Sequence, residues 1–216
     1  MRLGSILALG ASLSLMAAPR VDAQGVAPAP VDTILVVPGP DYAAGGFHRF
    51  LWGAHYRDAW TSSIRVPVLD LSVYAGGLTP LSAGGGLQTR SLWFAGEDGR
   101  PYAFRSVYKN ATTLVPELLR GTFVESIAQD QMSTQFPASA LVADSLLVAA
   151  GVPHARPTLW VLPDDASLGE FRDEFAGVLG LLQERPVDEE EAIAAFAGAE
   201  DVIGSEELLE LVQGSP

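Results

Sequence analysis

The chain has 216 residues, of which 48% are apolar, and its formal net charge is −13. This length and composition allow one or two domains with a buried core, and the acidic balance argues against nucleic-acid binding. Cysteine is absent, so we expect neither a disulfide nor a lipid-anchored cysteine, and the fold does not depend on oxidation. Residues 164–216 hold 15 acidic and 2 basic side chains, so the excess charge lies at the C-terminal end.

Residues 1–23 have the pattern of a secretory signal peptide. Arg2 supplies the positive charge, residues 3–16 form the apolar segment, and Val21 and Ala23 precede a cleavage site. The apolar segment is too short and too rich in Gly and Ser for a membrane anchor, and no later segment is long enough to span a membrane. The sequence therefore predicts an exported protein with no transmembrane helix after cleavage.

A Pro- and Ala-rich leader is predicted over residues 24–44, with a short strand at residues 33–37. Residues 41–60 are dense in glycine and aromatic side chains and include His48 and His55. A spacing of seven residues is not a zinc signature, and no cysteine or third local histidine completes a site, so no metal site is predicted. We expect this segment to be packed, partly irregular and placed as a cap on a sheet.

The strands of that sheet are predicted before residue 109. Residues 64–74 alternate apolar side chains and contain Pro67, which favours an edge strand. Residues 76–80 form a turn. Residues 92–104 form a β-hairpin, because two runs rich in aromatic and β-branched residues flank a Gly/Asp-rich turn.

Three consecutive glycines precede this hairpin and two basic residues follow it: Gly84, Gly85, Gly86, Arg105 and Lys109. Glycine lets the backbone approach a ligand closely, and N–H groups in such a loop can cradle phosphate. Residues four apart in a strand point the same way, so both cations are expected on one face. This order is typical of the nucleotide-holding hairpin of protein-kinase-like folds. The alternative is a surface hairpin whose glycines only form turns, because short glycine motifs often occur without phosphate binding.

Helices are predicted after the hairpin. A first helix begins at Pro116, which suits a first turn, and continues through Leu119, Phe123 and Ile127. A second helix runs from Pro137 to a C-terminal glycine, Gly151.

The remaining predicted elements are one strand and three further helices. Residues 158–162 form the strand, and a capping box at residues 167–170 opens a third helix. Short acidic helices are expected around residues 190–196 and 206–212. The apolar side of the third helix is Phe171, Phe175, Val178 and Leu182.

Strands clustered early and helices clustered late predict an α+β fold. The expected architecture is a small antiparallel sheet containing the β-hairpin, followed by packed helices. The domain would span residues 45–186, and residues 187–216 would form an acidic helical tail.

Several short segments, in this order, resemble the N-terminal lobe of exported bacterial kinase-like proteins that are similar to the HipA and CotH kinases. In several such proteins this lobe accompanies a calcineurin-like phosphoesterase or a BamA/TamA-like outer-membrane barrel. The resemblance covers residues 45–186. It is carried by Gly84-Gly85-Gly86 with Gln88-Thr89 and Ser91-Leu92, Arg105-Ser106-Val107 with Lys109, Gln129-Asp130-Gln131, Phe136-Pro137, Ala149-Ala150-Gly151-Val152-Pro153, Pro163-Asp164-Asp165, Leu168-Gly169 and Glu184-Arg185-Pro186.

The resemblance implies a site for nucleotide phosphates. Arg105 or Lys109 would contact the phosphates, and Glu125 would pair with that cation. The loop that covers the phosphates would consist of Gly84, Gly85, Gly86, Gln88 and Thr89.

The resemblance also implies a second lobe that carries the catalytic and metal-binding aspartates, and neither motif occurs in this chain. We therefore expect no catalytic residue here, and ATP with magnesium only together with a second lobe. The expected partners are a nucleotide and either an envelope protein or the missing C-terminal lobe.

Three functions stay open. The chain is an exported nucleotide-binding lobe, a non-catalytic interaction module of the periplasm or the outer-membrane-associated envelope, or a hydrolase-associated accessory domain.

Overall fold

The computed structural model describes residues 32–84, 88–185, 203 and 205–214. The signal peptide, the start of the leader, Gly85, Gly86 and the helix expected at residues 190–196 lie outside the described residues. The described chain is an α+β fold with a two-stranded and a five-stranded antiparallel sheet. Its strands are β1 (Thr33–Val36), β2 (Ile64–Pro67), β3 (Leu78–Gly84), β4 (Ser91–Gly96), β5 (Pro101–Ser106), β6 (Thr158–Val161) and β7 (Leu179–Glu184). Its α-helices are α1 (Gly46–Trp52), α2 (Arg57–Thr61), α3 (Phe123–Gln131), α4 (Ser139–Ala150), α5 (Arg172–Phe175) and α6 (Ser205–Gly214).

The five-stranded sheet has the order β3-β4-β5-β7-β6. The predicted hairpin is confirmed as β4 and β5, with Leu92 opposite Phe104. Its turn depends on Gly99, which has φ 82°, and on the Asp98 carboxylate, which accepts a hydrogen bond from the Arg100 backbone N–H at 3.1 Å. Local turn chemistry therefore fixes this part of the sheet.

The segment expected to be the third helix is α-helical only over Arg172–Phe175, and its second half is a strand. Asp165, rather than the predicted capping box, accepts a hydrogen bond from the Ser167 N–H at 2.7 Å. A 3-10 turn at Ala166–Phe171 leads into the short α5, and the chain then becomes β7. Helix α5 ends at Phe175 because Ala176 has ψ 130°, and Gly177 follows with φ 72°, so the helical prediction for Val178 and Leu182 is wrong.

Two other boundaries differ from the predictions. Residues 78–80 open strand β3 rather than completing a turn, and Pro80 is tolerated because β3 lies at the sheet edge beside a register irregularity. The helix expected from Pro116 begins only at Phe123, where the Thr122 hydroxyl accepts from the Val124 N–H at 3.2 Å.

Helix α4 agrees with its prediction, since it ends at Gly151 in the left-handed conformation. Residues 41–60 are more regular than expected, because they contain α1 and α2. Strand β2 ends at Pro67 and pairs with β1.

Two apolar cores lie on the five-stranded sheet. The first fills one face and is covered by residues 69–71 and 162–175. Its central side chains, Leu92, Phe94, Phe104 and Leu182, are fully buried. The second core joins the ends of β6 and β7 to α2 and β2, and its buried members include Tyr42, Trp60, Val66, Val161 and Leu179.

Among the described residues, no helix combines the length and the apolar character that crossing a membrane requires.

Candidate functional site

A cross-strand row brings the glycine loop and the strand cation together. Gly84 pairs with Ser91 on β4, and Ser91 pairs with Arg105 on β5. Neighbouring strands lie about 4.8 Å apart, so the backbones of Gly84 and Arg105 are separated by about 10 Å. Residues opposite one another in such a row project to the same face of the sheet. The start of the glycine loop and the Arg105 guanidinium therefore share one face.

That face is only partly covered. Trp93, Arg105 and Arg185 are exposed, while the smaller Ala103 lies buried between them. Trp93 pairs with Ala103, and Ala103 with Gln183, so these side chains form the row next to Arg105. We call this surface the open face; it consists of Trp93, Ala103, Arg105, Leu181, Gln183 and Arg185.

The open face is basic and aromatic at once. The Arg185 guanidinium lies 4.3 Å from the centroid of the Trp93 ring, a cation–π contact. The Arg105 backbone pairs with Ser91 and Leu181 in the sheet, but its guanidinium makes no hydrogen bond or ion pair with another described group. A planar fork of five N–H donors that is exposed in this way suits bidentate binding of an anion such as a phosphate. Arg105 and Arg185 thus place two positive charges on this face, one of them against the Trp93 ring.

The returning part of the glycine loop is tied to the chain that follows β5. The Gln88 carbonyl accepts from the Asn110 N–H at 2.8 Å. The Arg90 N–H donates to the Ser106 hydroxyl at 3.1 Å, and the Ser106 N–H donates back to the Arg90 carbonyl at 2.9 Å. Thr89, between them, is half-buried. These bonds hold the predicted loop residues Gln88 and Thr89 beside the end of β5.

Lys109 does not share a strand face with Arg105. Strand β5 ends at Ser106, so the alternation assumed from sequence does not extend to residue 109. The Lys109 ammonium instead donates to the side-chain oxygen of Gln135, and its carbonyl accepts from Gln129 at 2.9 Å. Lys109 therefore binds the segment after α3, and Arg105 is the cation of the row that starts at Gly84.

Glu125 does not complete the expected ion pair. In the described part of the chain it lies within 4 Å of neither cation. Its carboxylate accepts hydrogen bonds from the Thr112 hydroxyl and from the Gly121 N–H. These two donors, the hydroxyl first, hold the pKa of Glu125 below its usual range. Because α3 begins only two residues before Glu125, these hydrogen bonds of its carboxylate stabilise the start of the helix.

A different carboxylate, that of Asp130, forms a buried ion pair. Arg57 is 0% exposed and donates two hydrogen bonds to Asp130, at 2.8 and 2.6 Å. His48 lies 3.0 Å from the same carboxylate. The Arg57 guanidinium is the main cause of the lowered pKa of Asp130. This cluster joins α1, α2 and α3, and it stabilises the packing of these helices rather than the open face.

The sequence predicts Gly84 and Arg105, which the structure places in one cross-strand row, but it does not predict the other residues of the open face. Ala103 could have been found, since strand alternation places it beside Arg105. The members from β7 and its end could not be found from the sequence, because they reach this face only if residues 179–184 form a strand. They are Leu181, Gln183 and Arg185.

Comparisons with models of protein families, with curated proteins and with solved structures found no match to this chain.

Proposed function

We propose that this chain is an exported, kinase-like small lobe that binds the phosphates of a nucleotide on its open face and does not transfer phosphate alone. The observation that carries the proposal is the row Gly84–Ser91–Arg105. Kinase-like small lobes hold phosphates between a glycine-rich loop and a cation on the third strand. Here the strand before the loop is β3, and the third strand is β5 with Arg105.

Different residues of the open face would bind different parts of a nucleotide. Arg105 would bind phosphate oxygens through paired N–H donors, and backbone N–H groups after Gly84 would add further donors. The exposed Trp93 ring provides an apolar surface in the row next to Arg105, which suits a planar base. A nucleotide therefore fits the face better than a free phosphate ion does.

The donor set does not fit a magnesium ion. Magnesium in phosphate-binding sites is held by carboxylates together with the phosphates, and the open face carries no carboxylate. Among the described residues, no three His, Asp or Glu side chains gather in a way that could hold a metal. We therefore assign no metal-dependent step to this chain, and the proposal is binding without turnover.

Calorimetric titration of the mature protein with ATP tests the proposal. Arg105→Gln should weaken binding by about 10- to 100-fold, because hydrogen bonds to charged groups contribute about 1.5–3 kcal/mol. Arg65→Gln is the matched control, since Arg65 is an exposed arginine on β2, in the other sheet. Equal affinity for the wild type and Arg105→Gln, or metal-dependent ATP hydrolysis by the wild type, would contradict the proposal.

The second candidate function is a non-catalytic envelope interaction module. It is favoured by exposed apolar side chains on α1, where Phe47 is 77% and Phe50 83% exposed. Exposed apolar surface of this kind marks interaction sites. In cell fractionation, Phe47→Ser/Phe50→Ser should release the protein from the envelope fraction if this surface binds there. Val73→Ser/Leu81→Ser removes exposed apolar groups elsewhere and should have no effect; equal retention of both variants would reject this function.

A further inference from the structure

Helix α4 turns an apolar, uncharged side toward solvent. Val142 is 49% and Leu146 66% exposed, and the only charged residue of the helix, Asp144, lies on the opposite side. Surface helices normally show the reverse pattern, with charged residues outside and apolar residues inside. We call this exposed surface the outer side of α4; it consists of Val142, Ala143, Leu146, Ala149 and Ala150, all of them exposed.

Helix α6 has an apolar side that is equally exposed. Glu210 lies on the opposite side of this helix, and Glu207 and Gln213 flank it there. An isolated helix of ten residues is marginal in water, so packing against an apolar surface would stabilise α6. The side chains that form its apolar side are between 52% and 65% exposed: Leu208, Leu209, Leu211 and Val212.

The tail leaves the sheet close to α4. The pairing of Thr158 with Leu182 places the end of β7 beside the start of β6. Two residues before β6, the Arg156 guanidinium lies 3.3 Å from the carboxylate of Asp144, in the middle of α4. Residues 186–204 connect β7 to α6, and an extended chain of that length spans up to about 63 Å. Because α4 is only about 18 Å long, α6 can reach all of its outer side.

We infer that α6 docks its apolar side on the outer side of α4 in the same chain. Because both surfaces are exposed in the structure, the docked arrangement is a second state of the tail. It buries no charge, since Asp144 and Glu210 lie on the far sides of their helices. Tethering raises the effective concentration of α6 to the millimolar range, whereas two molecules of net charge −13 repel each other. The docking does not depend on the proposed nucleotide site.

Disulfide cross-linking tests the docking without any ligand, because the chain contains no cysteine. Leu146→Cys combined with Leu208→Cys should form an intramolecular disulfide under mild oxidation. Both positions lie near the middle of their helices, so they meet whichever way α6 runs along α4. Leu146→Cys combined with Glu210→Cys is the matched control, with the same tether but the thiol on the other side of α6. The first pair should cross-link about ten times faster, because a disulfide requires close Cβ atoms.

A charge placed on the apolar side of α6 should prevent the docking. Val212→Asp, added to the Leu146→Cys/Leu208→Cys protein, should slow cross-linking about tenfold, because docking would bury an unpaired carboxylate. Gln213→Asp makes the same change of charge on the polar side and should change the rate by less than about twofold. Equal rates for the two cysteine pairs, or equal effects of the two aspartates, would overturn the inference. Disulfides that join two molecules, seen in non-reducing electrophoresis, would assign the outer side of α4 to a second copy and also overturn it.

Discussion

Gly180 lies where β7 passes the ring of Phe104. A Cβ added there would overlap that ring and come within 2.7 Å of the Arg105 carbonyl oxygen. The ring is fully buried and cannot move aside without disturbing the first core. The centre of the sheet therefore requires a residue without a side chain at this point.

Gly180→Ala should destabilise the protein by about 1–3 kcal/mol, because overpacking forces side chains and backbone to shift. Gly46→Ala is the control: its added Cβ meets no atom within 4 Å, and alanine should stabilise that helical position by about 0.4–1 kcal/mol. Urea unfolding of both variants gives the comparison. Equal midpoints for the two variants would show that β7 does not approach Phe104 this closely.

Asp130→Ala should cost about 3–5 kcal/mol of stability, because it leaves the fully buried Arg57 without its partner. Asp58→Ala is the matched control, since Asp58 pairs with Arg49 at an exposed site where a pair contributes about 0–1 kcal/mol. Thermal or urea unfolding measures both free energies. Similar losses for the two variants would argue against a desolvated ion pair.

The same pair should make stability depend on pH. The folded-state pKa of Asp130 is lowered by Arg57, so the pair contributes its full stability above the unfolded value of about 3.9. That contribution is lost as the pH falls through the folded value. Between pH 5 and pH 2, the free energy of unfolding should fall less steeply in Asp130→Ala than in the wild type.

At the level of elements, α4 is held mainly by polar contacts near its end. None of its residues, all of which are described, is buried. Asp144 accepts hydrogen bonds from His154 at 3.0 Å and from Arg156 at 3.3 Å. The Val152 carbonyl first, and then Asp144, raise the pKa of His154.

Stability from a raised histidine pKa is fully present below the unfolded value of about 6.5 and is lost as the pH rises through the folded value. Amides at the C-terminal end of α4 should therefore lose hydrogen-exchange protection between pH 6 and pH 8, after correction for intrinsic rates. In His154→Gln this pH dependence should disappear. Unchanged pH dependence in that variant would assign it to another group.

The elements that sequence analysis predicted well are those with local signals. The hairpin of β4 and β5 follows from its turn residues, and α4 from its terminal Gly151. Strand β7 was assigned to a helix because Phe171, Phe175, Val178 and Leu182 satisfy a helical spacing. A short apolar run fits a buried strand equally well, and only pairing with β5 and β6 decides between them.

For the candidate site, too, the sequence predicts local patterns but not contacts between residues that are far apart in the chain. Glycines followed by a strand cation are a local pattern, so the sequence alone predicts that Arg105 follows the glycine loop on a strand, and β5 carries it. The cation–π contact of Arg185 with Trp93 joins residues far apart in sequence. The expected pair of Glu125 with a cation failed because both the end of β5 and the start of α3 differ from the predicted boundaries.

For the whole molecule, export is a prediction from residues that lie outside the described part. Cleavage between Ala23 and Gln24 should leave a mature chain with a formal net charge of −14. Intact-mass spectrometry of the exported protein measures this directly. Ala23→Arg should block processing, because the position before the cleavage site requires a small residue. An envelope protein that retains Met1 would contradict the prediction.

The position of β7 in the sheet has a consequence for synthesis of the chain. In sequence β7 is the last strand of the described sheet, yet it lies between β5 and β6. Until residues 179–184 leave the ribosome, both neighbours present unpaired backbone edges, which are sites for pairing with other chains. The hairpins of β3, β4 and β5 can form early because their partners are close in sequence, whereas closing the sheet requires contacts over more than 70 residues, which is intrinsically slow. A nascent chain that stalls before Leu179 is therefore a natural substrate for chaperones.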